Sequence, residues 1–338
     1  MIEIIKKYSE MCLEAIKIVK KTDIPDYKFN KIIICGVGGS AICGDLIRDL
    51  LKNRIFIPID ICRDYHLPSF VDENTLTFCV SYSGNTEETL SQFVDCIKRK
   101  SNIIVITSGG KLEEWCKKFN LPYISIPSGY QPREALPYLF FSIIACLQKL
   151  GIVNLQKEIE ETIELLKRIN TDYIEKFTFS MKDSTIAVYS SDEFYGVAKR
   201  VKTQLNENSK IPAKYDVFPE LDHNEIVGYQ NEKLNKNSFV LILRDKNEPE
   251  EIKTRIEITK DLIKDSIKGL GEIWSEGKSK LAKMMSFIFL GDILSYKLAI
   301  LNKVDPVEVK NIVILKKRLE DKMKLVKKLE KELEYLTP

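Results

Sequence analysis

Residues 31–53 read KIIICGVGGSAICGDLIRDLLKN, and this stretch decides the fold. Lys31–Cys35 is a short run rich in β-branched residues, which predicts a buried strand. Residues 36–40 form a glycine-rich turn. Residues 41–51 carry Ile42, Leu46 and Leu50 on one face, which predicts a helix. A second set of the same kind follows: a strand at 76–80, the polar turn SYSGNTEET at 81–89 and a helix over 86–100. Further strands are expected at 58–62, 102–106 and 123–126, with an apolar helix at 134–150 and an amphipathic helix over 3–21. Strands alternating with helices require crossover connections, and these give a parallel sheet covered on both faces.

The second half repeats the plan. Residues 152–176 read as helical, 184–189 as a strand and EFYGVAKRVKTQLNEN (193–208) as a helix. Residues 215–218 read as an extension into a loop, 238–243 as a strand and 268–274 as a strand or extended segment. A long apolar helix covers 279–302 and a charged one 308–334. The expected fold class is therefore α/β, with two domains, 1–151 and 152–338, each a parallel sheet flanked by helices.

The 338 residues suit two domains of about 150 residues each. With 52 basic and 49 acidic side chains, the balance argues against a nucleic-acid or membrane-surface protein. No apolar run reads as a membrane span, and the N-terminus reads as neither signal nor transit peptide. Eight cysteines lie in the first half without a C-x-x-C pair, which predicts reduced, buried thiols in a cytoplasmic protein. Two histidines, His66 and His223, exclude metal chemistry that needs an imidazole cluster.

Two motifs carry candidate chemistry. CGVGGSA (35–41) places free backbone N–H groups at a helix start, where an anion binds. It ends in Ala41 rather than glycine, and no Gly-Lys-Ser/Thr follows, so a dinucleotide site is weakly indicated and a P-loop is excluded. A tight turn that binds nothing fits this motif equally well. In SYSGNTEET, Ser81, Ser83 and Thr86 crowd Gly84 at a helix N-terminus. One helix cap, Asn85 with Glu88, does not need three hydroxyls, and a phosphate uses all of them.

A Gly-Gly-Ser turn followed some forty residues later by S-x-S-G-N-T-E-E resembles the sugar isomerase (SIS) fold. SGYQPREALPYLF (128–140) and KTQLNENSKIPAKYDVFPELDHNEIVGY (202–229) extend the likeness to the archaeal-type bifunctional phosphoglucose/phosphomannose isomerases, which have two SIS domains in tandem. The resemblance implies a metal-independent aldose–ketose isomerase acting on a phosphorylated hexose, with no cofactor and no nucleic-acid or membrane partner. It also implies a homodimer in which the histidine reaches the site from the neighbouring subunit.

Moving a carbonyl between C1 and C2 needs a phosphate anchor, help with ring opening, a proton-shuttling base and positive charge near an enediolate. Gly39, Ser40, Ser81, Ser83 and Thr86 fit the anchor. Glu207, between Asn206 and Asn208, fits the base, although by itself it reads as an ordinary helix-end glutamate. His223 fits ring opening, with a turn histidine as the alternative. Arg133 fits enediolate stabilisation, or else pairs with Glu134. For all three the resemblance implies the functional role. His66 receives none. The resemblance assigns the active-site lysine to Lys316, with Lys310 as alternate. Valine, at 307 or 309, stands where the family has threonine, which bears on the balance between glucose and mannose epimers. The competing readings are an aminosugar-phosphate isomerase and a non-catalytic sugar-phosphate regulator.

Overall fold

The computed structural model describes residues 1–336. They form two compact units, each built on one sheet. The five-stranded unit comprises Glu10–Leu155 and the chain from Val309 onward; the four-stranded unit comprises Met1–Ser9 and Gln156–Glu308.

After α1 (Ile2–Ile5) and α2 (Tyr8–Lys21), the five-stranded unit runs β1 (Lys31–Cys35), α3 (Ile42–Leu51), β2 (Ile59–Cys62), β3 (Thr75–Val80), α4 (Glu87–Lys98), β4 (Asn102–Thr107), α5 (Gly110–Phe119), β5 (Tyr123–Ser125) and α6 (Leu136–Lys149). The strands are all parallel, in the order β2-β1-β3-β4-β5. From β1 the chain steps to one side for β2 and then crosses to the other for β3. The switch point therefore lies between β1 and β3, whose following loops are the two sequence motifs. Open α/β sheets bind ligands at that point, beyond the carboxyl ends of the strands. All six residues of β3 are buried, as a central strand requires.

The four-stranded unit runs α7 (Gln156–Leu166), α8 (Ile174–Met181), β6 (Thr185–Ser191), α9 (Tyr195–Glu207), β7 (Ala213–Phe218), α10 (Glu232–Asn235), β8 (Ser238–Arg244), α11 (Glu250–Ile263), β9 (Gly269–Trp274) and α12 (Lys280–Leu301). Its parallel order, β7-β6-β8-β9, repeats the first four strands of the other sheet. Three readings change. The segment 215–218 is the end of a full edge strand, disguised by its exposed Lys214 and half-exposed neighbours. The helix expected over 152–176 breaks where the Asn170 side chain accepts the Asp172 N–H at 2.8 Å. The membrane-span reading also needs correction. Lys280–Leu301 is long and apolar enough to cross a bilayer, but 78% of its apolar window is buried inside the protein. Tyr8, buried at the start of α2, donates to Asp292 of α12 at 2.5 Å.

The C-terminal helix expected over 308–334 is two helices, α13 (Lys310–Met323) and α14 (Leu325–Tyr335). Lys324, left-handed at φ 49°, separates them. Helix α14 inserts Leu329 and Leu333 into the core beside Phe93 and Trp115. Ion pairs Lys98–Glu332 (2.5 Å) and Lys111–Glu330 (3.0 Å) flank it. The tail thus belongs with the five-stranded sheet rather than with a domain spanning 152–338. The physical reason is the stripe Leu325, Leu329, Leu333, spaced by one helical turn.

Candidate active site

Three segments of the five-stranded unit converge at the switch point. The first is the loop after β1. Gly38 sits at φ +57°, and Ser40, Ala41 and Ile42 donate their N–H groups back to Val37 and Gly38 carbonyls. The N–H groups of Gly38 and Gly39 have no acceptor among the described residues.

The second is the loop after β3, and a hydroxyl joins it to the first: the Tyr82 N–H donates to Ser40 Oγ at 3.3 Å. Ser81, fully buried, shares a hydrogen bond with Thr86 Oγ1 at 2.9 Å. Ser83 is exposed and accepts the Asn85 N–H. The expected cap is different. Thr86, not Asn85, holds the N-cap of α4, and no side chain caps the helix. Asn85 instead accepts from Lys111 N at 3.0 Å. The first-turn N–H groups of α4 therefore keep their positive end available for an anion. Gly84 is obligatory here: at φ +66° a Cβ would lie 1.8 Å from the Gly109 carbonyl oxygen.

The third is the turn around Arg133. A Cβ on Gly39 would lie 3.1 Å from the Arg133 nitrogen, so this glycine lets the turn pack directly on the anion loop. Arg133 is only 2% exposed. Glu134 closes the turn by accepting the Gln131 N–H at 3.0 Å. Tyr82, which the sequence reading passed over, ties the last two segments together. It accepts from the Tyr130 N–H at 2.8 Å and donates to the Pro127 carbonyl at 3.1 Å. An aromatic residue between two serines of a phosphate loop was the available signal. The structure thus gathers Gly39, Ser40, Ser81, Ser83, Thr86 and Arg133.

Lys316 is exposed on α13, a helix with no buried residue. It shares a face with Glu320, about 6 Å further along the axis. Burial first, then the charges of Glu88 and Glu320, raise the pKa of Glu87 in the first turn of α4, so this stretch of α13 runs near the anion end of α4. Val309 is the N-cap residue of α13 and has no side-chain cap bond.

In the four-stranded unit, Glu207 is the last residue of α9. Its turn is clamped: Asn208 Nδ2 donates to Ser295 Oγ (2.9 Å), Ser209 Oγ to the Ser295 carbonyl (2.7 Å) and Asn206 Nδ2 to the Ile211 carbonyl (2.8 Å). Lys210 Nζ bonds the carbonyls of Glu207 (2.7 Å) and Asp305 (2.6 Å). Behind it, buried Arg200 contacts Asp292 at 2.8 Å. Burial would lower the Arg200 pKa, but Asp292, Tyr8 and Glu207 outweigh it and raise it, so a fixed positive charge stands within reach of Glu207. A cavity of about 460 Å³ borders Asn206 at this edge, lined by Lys202 and Lys214, and holds none of the expected phosphate ligands.

His223 is exposed, in the turn that follows β7. Glu207 precedes β7 and His223 follows it, so the length of that strand separates them, on the order of 20 Å at 3.3 Å per residue. The structure does not bring these two together within one chain. His66 is exposed and lies 3.3 Å from Asp95.

In the four-stranded unit, the end of β8 and the loop after it are tied up in ion pairs. Arg244 meets Glu248 at 2.9 Å and Glu272 at 2.6 Å, and Lys283 meets Asp245 at 2.8 Å.

A protein of Caldicellulosiruptor bescii described as bifunctional phosphoglucose/phosphomannose isomerase is 41% identical over 90% of this chain and 92% of its own. The chain belongs to the bifunctional phosphoglucose/phosphomannose isomerase family. The family model for the bacterial phospho-glucose isomerase C-terminal SIS domain matches residues 170–319. The family's relatives are not uniform: a D-glucosamine-6-phosphate 4-epimerase of Sulfolobus acidocaldarius is 31% identical over 82% of this chain and 85% of its own. Among solved structures, the C-terminal domain of glucosamine-fructose-6-phosphate aminotransferase from Francisella tularensis superposes with a TM-score of 0.68 at 16% identity, over 91% of this chain and 98% of that one. At that identity it establishes the tandem-sheet SIS fold alone.

Proposed function

We propose that the chain interconverts glucose 6-phosphate and mannose 6-phosphate with fructose 6-phosphate. The observation that carries this reading is the anion cradle at the β1/β3 switch point: Ser40, Ser81, Ser83 and Thr86 hydroxyls, the uncapped start of α4 and a buried arginine, in a chain of this family.

The sugar's phosphate sits on the hydroxyls and N–H groups of Gly39–Thr86, without a lysine in the loop. His223, with Lys316, moves the proton that opens the ring. Glu207 then takes the proton from C2 of the aldose, leaving a cis-enediolate, and returns it to C1 to give the ketose. Arg133 holds the enediolate oxygens, and its guanidinium keeps its charge throughout. Glucose and mannose epimers share the site because the C2 stereocentre is lost in that intermediate. The reaction is read as metal-independent: charge stabilisation rests on Arg133, and no group of three metal-type ligands occurs among the described residues. We place the enzyme in the cytoplasm, which the eight free, buried cysteines support, and as a homodimer in which His223 serves the neighbouring copy's site.

The test is a coupled isomerase assay on the wild type and Glu207→Gln, with and without chelator. The variant should lose roughly 10²–10⁴-fold in kcat, and chelation should change nothing. Full activity in the variant removes Glu207 from its role, and loss of activity on chelation overturns the metal-free mechanism. Turnover of glucosamine 6-phosphate in place of glucose 6-phosphate would shift the reading to the aminosugar relatives.

A further inference from the structure

The isomerase chemistry leaves four thiols beneath the anion cradle unused. Cys35 ends β1, and its registered partners on the flanking strands are Cys62 of β2 and Cys79 of β3. Registered residues of parallel strands point to the same face. Cys96 of α4 covers that face, with its sulfur 4.0 Å from that of Cys79. All four thiols belong to one buried core cluster. No arrangement of three such ligands for a metal occurs among the described residues, so the cluster is a reservoir of thiols rather than a metal cage.

We propose that Cys62 is an oxidant-reactive thiol that attacks hydroperoxides and is resolved by Cys35, forming a Cys35–Cys62 disulfide at the root of the phosphate loop. Three observations taken together point to this pair, and access separates Cys62 from Cys96, whose thiol is also held down although fully buried, and from Cys79, which is also registered with Cys35. Cys62 is 4% exposed while Cys35, Cys79 and Cys96 are at 0%, so peroxide, a molecule little larger than water, reaches Cys62 first. Cys62 is also poised to ionise. The neighbouring Cys35 thiol outweighs the cost of burial, Gln92 Nε2 lies 3.3 Å from the Cys62 sulfur, and its pKa is held down to about 7. Cys35, buried and ringed by thiols, is pushed well above the usual thiol range and stays protonated. Registered parallel neighbours also stand about 4.8 Å apart at Cα, inside the roughly 4.4–6.8 Å window of a disulfide.

The steps balance. The Cys62 thiolate attacks one peroxide oxygen, the O–O bond breaks and the other oxygen leaves as hydroxide, giving a sulfenic acid and, with the thiol's proton, water. The Cys35 sulfur then displaces the sulfenic hydroxyl. The S–S bond forms, and the Cys35 proton leaves with that hydroxyl as a second water. Two thiols lose two electrons and the peroxide gains them. Cys35 directly precedes Gly36, where even a methyl group would lie 2.7 Å from the Val80 carbonyl oxygen. Drawing β1 toward β2 pulls Gly36 away from that carbonyl on β3 and so shifts the loop that holds Gly39 and Ser40.

The experiment treats the full-length protein with hydrogen peroxide, quenches, denatures and counts thiols, then maps the bond by mass spectrometry. Eight titratable thiols should fall to six, with a Cys35–Cys62 linkage reversed by dithiothreitol. Cys35→Ala should stop at a sulfenic acid on Cys62, trapped by dimedone, and Cys79→Ala should still form the bond. Eight surviving thiols, a Cys79–Cys96 linkage, or a Cys62→Ser protein that loses thiols at the wild-type rate would each overturn the proposal. The functional arm rests on the isomerase reading: oxidised protein should show a KM for sugar phosphate raised about tenfold. The thiol count and the map stand independently of that reading.

Discussion

At the scale of the residue, the hydroxyls of the cradle are already hydrogen-bonded, Ser81 to Thr86 and Ser40 and Ser83 to backbone N–H groups. Ser81 is fully buried and bonded to Thr86, so Ser81→Ala removes one phosphate donor and frees the Thr86 hydroxyl from its orientation. A hydrogen bond to a charged group is worth about 1.5–3 kcal/mol, so kcat/KM should fall roughly 10–100-fold, measured by steady-state kinetics. An unchanged value would remove Ser81 from the phosphate site. Gly39→Ala tests the other wall. Its methyl group would press on the Arg133 backbone at 3.1–3.2 Å, so KM and kcat should worsen together while the melting temperature moves little. That these residues lie together was legible in the sequence, because both the glycine turn and the hydroxyl cluster follow a strand and precede a helix; what they bind was not, because a tight turn has the same residues. Nor was the cap. Asn85 and Thr86 are both good cap residues, and only the tertiary bonds Asn85–Lys111 and Ser81–Thr86 decide between them.

At the scale of the element, the end of β8 in the second sheet is held by buried charge. Arg244 is 1% exposed, with Glu248 at 5%. Burial would lower the Arg244 pKa, but its hydrogen bonds to Glu248, Glu257 and Glu272 raise it. Arg244→Ala leaves one buried carboxylate, Glu248, without its cation and should cost about 3–5 kcal/mol of stability, read by denaturant unfolding; a loss under about 1 kcal/mol would mean that the network is not structural. Helix α12 is also held by charge: Glu161 accepts the N–H groups of Lys278 (2.6 Å) and Ser279 (3.1 Å). Burial opposes its ionisation, but these donors prevail and lower its pKa. A depressed carboxylate stabilises above its unfolded pKa of about 4.3 and loses that contribution as pH falls through the folded value. Glu161→Gln should therefore cost about 1 kcal/mol at neutral pH, with the gap to wild type closing in acid. Element boundaries were harder to read than element types. The break at Lys324 lies inside an unbroken run of helix formers, and strand β7 hides behind Lys214 and Asp216.

At the scale of the whole molecule, the tandem α/β plan could be read from the order of strands, turns and helices. The return of α14 to the first sheet could not, because a leucine stripe says that a face is buried but not against what. The separation of Glu207 from His223 was equally hidden: one ends a helix and the other sits in a polar turn, and only the direction of β7 sends them to opposite ends of that strand. In the proposed homodimer these two groups nevertheless act on one sugar, from different copies of the chain. The direct test mixes Glu207→Gln and His223→Ala proteins after dissociation and reassociation. Each alone should be nearly inactive. Random pairing makes half the dimers mixed, each with one intact site, so activity should return to roughly a quarter of wild type. A mixture of folded, dimeric variants no more active than its separate parts would contradict the claim.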